Sequence, residues 1–201
     1  MTSQNKLLRL FALTAIILTL FSCGNKMTRE KAKELITQKF NFPSTITEKL
    51  QSGEINYMRS VGGSNISAET TLAEQKLITF NYQGDKRDMF FSYATYFLDL
   101  TSEGQKYKTG ETSDNEGRQF YIVKVADKVF VDLTGILEIN DGKAAQVDYT
   151  WKYDNITPFG IAFSLRNQQL NRTPVYNEGQ LFSEKVMMVK YDDGWRIQEK
   201  D

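Results

Sequence analysis

Hydrophobic and polar positions change their period several times along the chain, and each change marks an element. Leu10 to Phe21 is an unbroken run without a charge, with only Thr14 and Thr19 as polar members. Ala32, Leu35, Ile36 and Phe40 then recur at helical spacing. Thr28 is placed to cap that helix, Glu30 lies in its first turn, and Phe42-Pro43 cannot continue it. Ile46 to Met58 carries a weaker pattern with a turn at Ser52-Gly53, and Ser60 to Ser67 reads as a loop around Gly62-Gly63. Ser67 is expected to cap a second helix, roughly Ala68 to Leu77. Strands Ile78 to Tyr82 and Met89 to Leu100 follow, joined by the polar segment Gln83 to Asp88 and closed by a turn at Thr101 to Gly104. Lys108 to Arg118, with two glycines and no large apolar side chain, reads as a loop. Phe120 to Val125 is a short strand, and Val129 to Asn140 pairs with Lys143 to Tyr153 across Asp141-Gly142, a pair suited to a type I′ turn. In the return strand Val147, Tyr149, Trp151 and Tyr153 share one face. Asn155 to Thr173 is a crossover with a helical turn around Ala162 to Leu170, before a last hairpin, Val186 to Tyr191 with Trp195 to Gln198, turning at Asp192-Asp193-Gly194. The sum is a single α+β domain over residues 28–201, with an N-terminal helix or helices packed on a mainly antiparallel, curved β-sheet.

The start of the chain has a different character. Lys6 and Arg9 precede the apolar run, the layout of a secretory signal, and the run is shorter than the roughly 20 residues a spanning helix needs. Leu20-Phe21-Ser22-Cys23 closes it and resembles the lipobox of bacterial lipoproteins, although Phe21 is bulkier than the usual residue there. The resemblance implies cleavage after Ser22, a diacylglycerol thioether on Cys23, and acylation of the new amino group. Residues 1–22 are then a signal peptide and 23–27 a lipidated tether. Cys23 is the only cysteine, and lipidation removes the anomaly of a lone thiol in an oxidising compartment. Two or three acyl chains hold a protein on a bilayer for long times. Gly24 stands where an inner-membrane retention signal would place aspartate, so the expected location is the outer membrane, with the domain in the periplasm.

Short blocks of the mature chain carry a further resemblance. Leu77-Ile78-Thr79, the stretch Leu100 to Tyr107, Leu133-Thr134-Gly135-Ile136 and Ala145 to Tyr153 are similar to spaced blocks of uncharacterised bacterial envelope lipoproteins. The ending Asp193-Gly194-Trp195-Arg196-Ile197 resembles cystatin-like and NTF2-like folds, which pair a helix with a curved antiparallel sheet. None of these resemblances implies a functional residue.

Composition then narrows the chemistry. The chain of 201 residues has 25 basic and 25 acidic side chains; removal of Lys6 and Arg9 leaves 23 against 25, a charge of about −2 that gives nucleic acid no basic surface. The absence of histidine excludes Ser-His-Asp and Cys-His nucleophile systems and the common zinc sites. No phosphate loop or Gly-x-Ser-x-Gly motif occurs, and no cofactor or metal is expected. Asp114-Asn115-Glu116-Gly117 and Asp192-Asp193-Gly194 place acids beside glycine as calcium loops do, but without EF-hand spacing they read as turns. Asp148, next to Tyr149 and Trp151 in sequence, is the first carboxylate to inspect, although alternation puts it on the polar face. Tyr149, Trp151 and Tyr153 could form a ligand-stacking platform, or the ordinary core of a sheet. Sequons at Asn65, Asn155 and Asn171 have no role in a bacterial envelope.

Two functions fit. The first is a lipid-anchored, non-enzymatic binding or scaffolding module, with the membrane as partner through acyl chains on Cys23 and a protein partner in the envelope. The second is an envelope hydrolase acting on glycan or peptide through two carboxylates, at least one with a raised pKa. Inhibition of a lysozyme or protease through the Lys108 to Arg118 loop is compatible with the sequence but has no specific support in it.

Overall fold

The computed structural model describes residues 26–59 and 66–199. The signal segment, Cys23, most of the tether, Gly62-Gly63 and the Asn65 sequon lie outside the described residues. In chain order the elements are α1 (Arg29–Lys39), β1 (Ser44–Gln51), β2 (Gly53–Met58), α2 (Ser67–Glu74), β3 (Ile78–Arg87), β4 (Ser92–Leu100), a 3-10 turn (Gly104–Tyr107), β5 (Lys108–Ser113), β6 (Gln119–Ile139), β7 (Ala144–Asp154), α3 (Pro158–Gln169), β8 (Leu181–Tyr191) and β9 (Gly194–Ile197). A six-stranded sheet has the order β1-β6-β7-β8-β9, with β5 also paired to β6; a three-stranded sheet has the order β2-β4-β3. The fold is mainly antiparallel and sheet-dominated, with 51% of the described residues in strands against 21% in helices. The helices are not gathered at the N-terminus as expected. α1 precedes β1, but α2 lies between β2 and β3 and α3 between β7 and β8.

The chain forms two compact units. One comprises the described parts of Met1–Asn41, Asp132–Thr150 and Ser183–Asp201, the other those of Phe42–Val131 and Trp151–Phe182. In the first unit, Thr28 Oγ1 accepts the Lys31 N–H, so α1 starts where its cap predicts, and it buries Ala32 and Ile36. Those side chains belong to a core with Met27, Leu133, Ala145, Val147, Tyr149, Met188 and Trp195. The β6–β7 turn has positive φ at Asp141 and Gly142, and the Lys143 N–H donates to the Asn140 carbonyl at 3.0 Å, as a type I′ turn requires.

In the second unit Leu72, Leu98, Val123, Val125, Phe159 and Phe163 centre the core. Each fully buried side chain of this size contributes about 1.5–3 kcal/mol. Helix α3 starts before the expected helical turn. Thr157 Oγ1 accepts the Gly160 N–H and donates to the Lys124 carbonyl, tying the helix start to β6. Ser67 is the first residue of α2 rather than its cap, and its hydroxyl meets Gln169 of α3 at 2.7 Å.

Three other expectations are corrected. The strands read at Phe120 to Val125 and Val129 to Asn140 are one strand, β6. Lys108 to Arg118 is not a loop throughout: its first half is β5, whose side chains alternate half-buried and exposed against β6, while Asp114 to Arg118 makes the turn. Thr and Ser serve an exposed strand well, so polarity alone does not identify a loop. The polar segment Gln83 to Asp88 mostly continues β3 through a bulge at Tyr82/Gly84, where Gly84 has φ +126°, and the turn falls on Asp88 to Phe91.

Candidate functional site

The first unit carries a cleft of about 920 Å³, lined by Lys39 and Phe40 from the end of α1, Gln146 of β7, Glu184 to Met187 of β8, and Ile197, Gln198 and Glu199 at the end of β9. The local folding explains its composition. The helix pattern places Phe40 one turn beyond buried Ile36, and its ring lies 5.9 Å from that of Tyr149. β8 and β9 are held in register by the two-residue turn at Asp192-Asp193, with Met188 opposite Ile197. Trp195 and Ile197 share one face of β9 by strand alternation. The buried indole N–H of Trp195 has no hydrogen-bond partner among the described residues.

Two carboxylates enter the cleft, each bound by a donor. The Tyr149 hydroxyl donates to Glu184 Oε2 at 2.6 Å; burial first, and the bond to Glu184 second, raise the phenol's pKa and keep it a donor. Lys39 pairs with Glu199, and that hydrogen bond holds the Glu199 carboxyl below its usual range. Phe40, Val186, Met187 and Ile197 give the lining apolar surface, while Lys39, Lys185, Glu184 and Glu199 supply both signs of charge.

The residues singled out from sequence are placed as follows. Tyr149 is fully buried and Trp151 is 7% exposed. The Trp151 ring stacks on Phe182 at 4.2 Å and has the Lys128 ammonium 4.0 Å from its centroid. Tyr153 packs edge-on against Tyr176 and Phe182. Tyr149 and Trp151 are thus buried among packing partners, while Tyr153 is half-buried. Asp148 accepts from Lys185 at 3.2 Å and from Gln146 at 3.1 Å, as a polar-face ion pair. Asp114 spends its oxygens on the Glu116 and Arg118 N–H groups and the Arg118 side chain. Asp193 pairs with Arg196. Among the described residues no group of three potential metal ligands converges, and no helix is long and apolar enough to cross a membrane.

No family model, curated protein or solved structure matches the chain. Its residues therefore carry the functional reading alone. Sequence reasoning missed the cleft because its walls come from three distant segments; only Glu184, an acid on the inward alternation of β8, was a local sign of it.

Proposed function

We propose that the protein is a lipid-anchored component of a bacterial envelope, held through acyl chains on Cys23 at the outer membrane, and that it acts in the periplasm as a non-enzymatic binding or scaffolding module. The observation that carries the reading is the position of the only cysteine, at the end of a charge-free run preceded by Lys6 and Arg9. Met27, the last residue of the 23–27 tether, is 6% exposed. From Cys23 to Met27 the chain reaches at most about 14 Å, which keeps its attachment point beside the bilayer.

The cleft of the first unit is its ligand site, and an extended segment of a partner protein is the ligand it suits. Apolar side chains together with both signs of charge in the lining match alternating residues of such a segment better than the uniform charge of a polyanion. A binding role is favoured over a hydrolase by Glu199, whose carboxyl pKa the Lys39 hydrogen bond lowers, whereas a general acid needs one pushed up.

Mass spectrometry of the mature N-terminal peptide tests the anchor: a diacylglyceryl-modified Cys23 is expected, and an unmodified thiol overturns it. Photo-crosslinking in intact cells tests the cleft. A crosslinker at Gln146 is expected to capture a discrete partner that one at Glu116 does not, and equal labelling at both positions defeats the assignment.

A further inference from the structure

The second unit ends one hairpin in an unusual way. β3 and β4 pair as far as Arg87 opposite Ser92, and the connecting Asp88-Met89-Phe90-Phe91 displays three successive large apolar side chains, exposed by 88, 80 and 50%. Soluble proteins seldom leave such a run in water.

It is also braced from within. Asp88 Oδ1 accepts the N–H groups of Phe90 and Phe91 at 2.8 and 2.7 Å, the Asp88 N–H donates to the Phe91 carbonyl at 3.0 Å, and the Tyr93 hydroxyl donates to Asp88 Oδ2 at 3.2 Å. The turn thus spends both oxygens of its one carboxylate on its own donors and presents side chains outward. The N–H groups of Asp88, Phe90 and Phe91 are thus satisfied inside the turn, which lowers the cost of moving it out of water.

The base of the tip is charged in a matching way. Arg59 pairs with Asp85, and Lys86 with Glu54. Arg87, exposed and adjacent to the apolar run, has no ion-pair partner among the described residues, and it stands where an anionic headgroup would meet it. Tyr93, with a polar hydroxyl and an apolar ring 6.4 Å from that of Phe91, is the side chain that membrane interfaces favour.

We propose that Met89, Phe90 and Phe91 insert into the interfacial region of a phospholipid bilayer, with Arg87 on the headgroups, giving the protein a second membrane contact besides its lipid. The proposal takes from the anchor reading only the presence of a bilayer. Insertion of such side chains reaches about 5–10 Å, to the boundary between headgroups and acyl chains.

The test uses the full-length, lipidated protein in vesicles of phosphatidylethanolamine and phosphatidylglycerol, spin-labelled through Phe90→Cys and, separately, through Asp192→Cys in the β8–β9 turn. Both positions are exposed turn sites, so neither change disturbs the core. The label at 90 is expected to be more accessible to oxygen than to an aqueous nickel chelate, the label at 192 the reverse, and Arg87→Gln is expected to reduce the difference at 90. Equal aqueous accessibility at the two sites overturns the proposal. So does a label at 90 shielded from both reagents, or broadened by a second copy, since either means that protein covers the tip. The mass of the Cys23 peptide from the same preparation separates this outcome from the anchor: lipidated Cys23 with an aqueous label at 90 defeats the tip alone, while unmodified Cys23 with a lipid-exposed label at 90 defeats the anchor alone.

Discussion

Gly160 lies in the first turn of α3, where a methyl group meets backbone. A Cβ built there stands 2.3 Å from the Val125 carbonyl oxygen and 3.1 Å from Ile156 Cγ2. Real Cβ contacts begin near 3.0 Å, so helix and strand would have to part by about 0.7 Å, the gap between those two distances. The oxygen cannot yield freely. It accepts the Thr157 N–H at 2.9 Å and the Thr157 hydroxyl at 3.3 Å, and Thr157 Oγ1 in turn caps the helix through the Gly160 N–H. Gly160→Ala gains at most about 1 kcal/mol of helix propensity. Against this stand about 1–3 kcal/mol of overpacking and about 1 kcal/mol for each weakened hydrogen bond. The expected net loss is about 2 kcal/mol, a fall in Tm of about 4–8 °C for a chain of this length. Thermal melting of the full-length protein in mild detergent, followed by near-ultraviolet circular dichroism, measures it. Gly110→Ala is the control: its Cβ would lie 3.8 Å from Ile122 in edge strand β5, and it should be neutral or stabilise by about 0.5 kcal/mol. If Gly160→Ala melts at or above wild type, close approach does not explain the glycine.

Other consequences follow from charges and donors inside each unit. Glu69 is 5% exposed, pairs with Arg166 at 3.6 Å, and leaves Oε2 without a hydrogen-bond partner among the described residues. Arg166→Leu, which leaves that carboxylate only the Tyr57 hydroxyl, should cost about 3 kcal/mol in urea denaturation, and Glu69→Gln less than half as much; equal losses would contradict the buried-charge account. Burial opposes ionisation of Asp127, but hydrogen bonds from Lys124 and Asn155 outweigh it and lower the pKa. A depressed carboxyl stabilises above its unfolded value of about 3.9 and loses that contribution as pH falls through the folded one, so Asp127→Asn should flatten the urea midpoint's decline below about pH 4. An unchanged acid limb would remove Asp127 from the account. Tyr149→Phe deletes the donor to Glu184 and should destabilise by about 1–2 kcal/mol while weakening the crosslink from Gln146; a change in stability alone would detach Tyr149 from the site.

Where local chemistry decides structure, the sequence was sufficient. Thr28 and Phe42-Pro43 bounded α1, and Asp141-Gly142 marked its turn because few residues tolerate positive φ in succession. The aromatic alternation of β7 correctly indicated one face, and core was the right reading of Tyr149 and Trp151. Pattern could not tell a face buried by protein from one left for a ligand, since both need the same residues at the same period. The cleft was illegible for another reason. Lys39, Glu184 and Glu199 are brought together only by the pairing of β8 with β9 and the packing of α1.

The hairpin tip shows where hydrophobic pattern misleads. Met89-Phe90-Phe91 reads as the start of a strand, because apolar runs are taken as inside and polar segments as connections, yet here polar Gly84 to Arg87 extends the pairing by four residues and the apolar triplet is the turn. Edge strand β3 has backbone partners on one side only, so its side chains can stay solvated while its amides pair with β4. The signal available was Asp88. An aspartate whose carboxylate caps the N–H groups two and three residues ahead makes a turn regardless of the hydrophobicity it encloses. A sequence that spends such a residue to hold two phenylalanines and a methionine in solvent is stabilising their exposure, and that is the physical reason to look for what they enter.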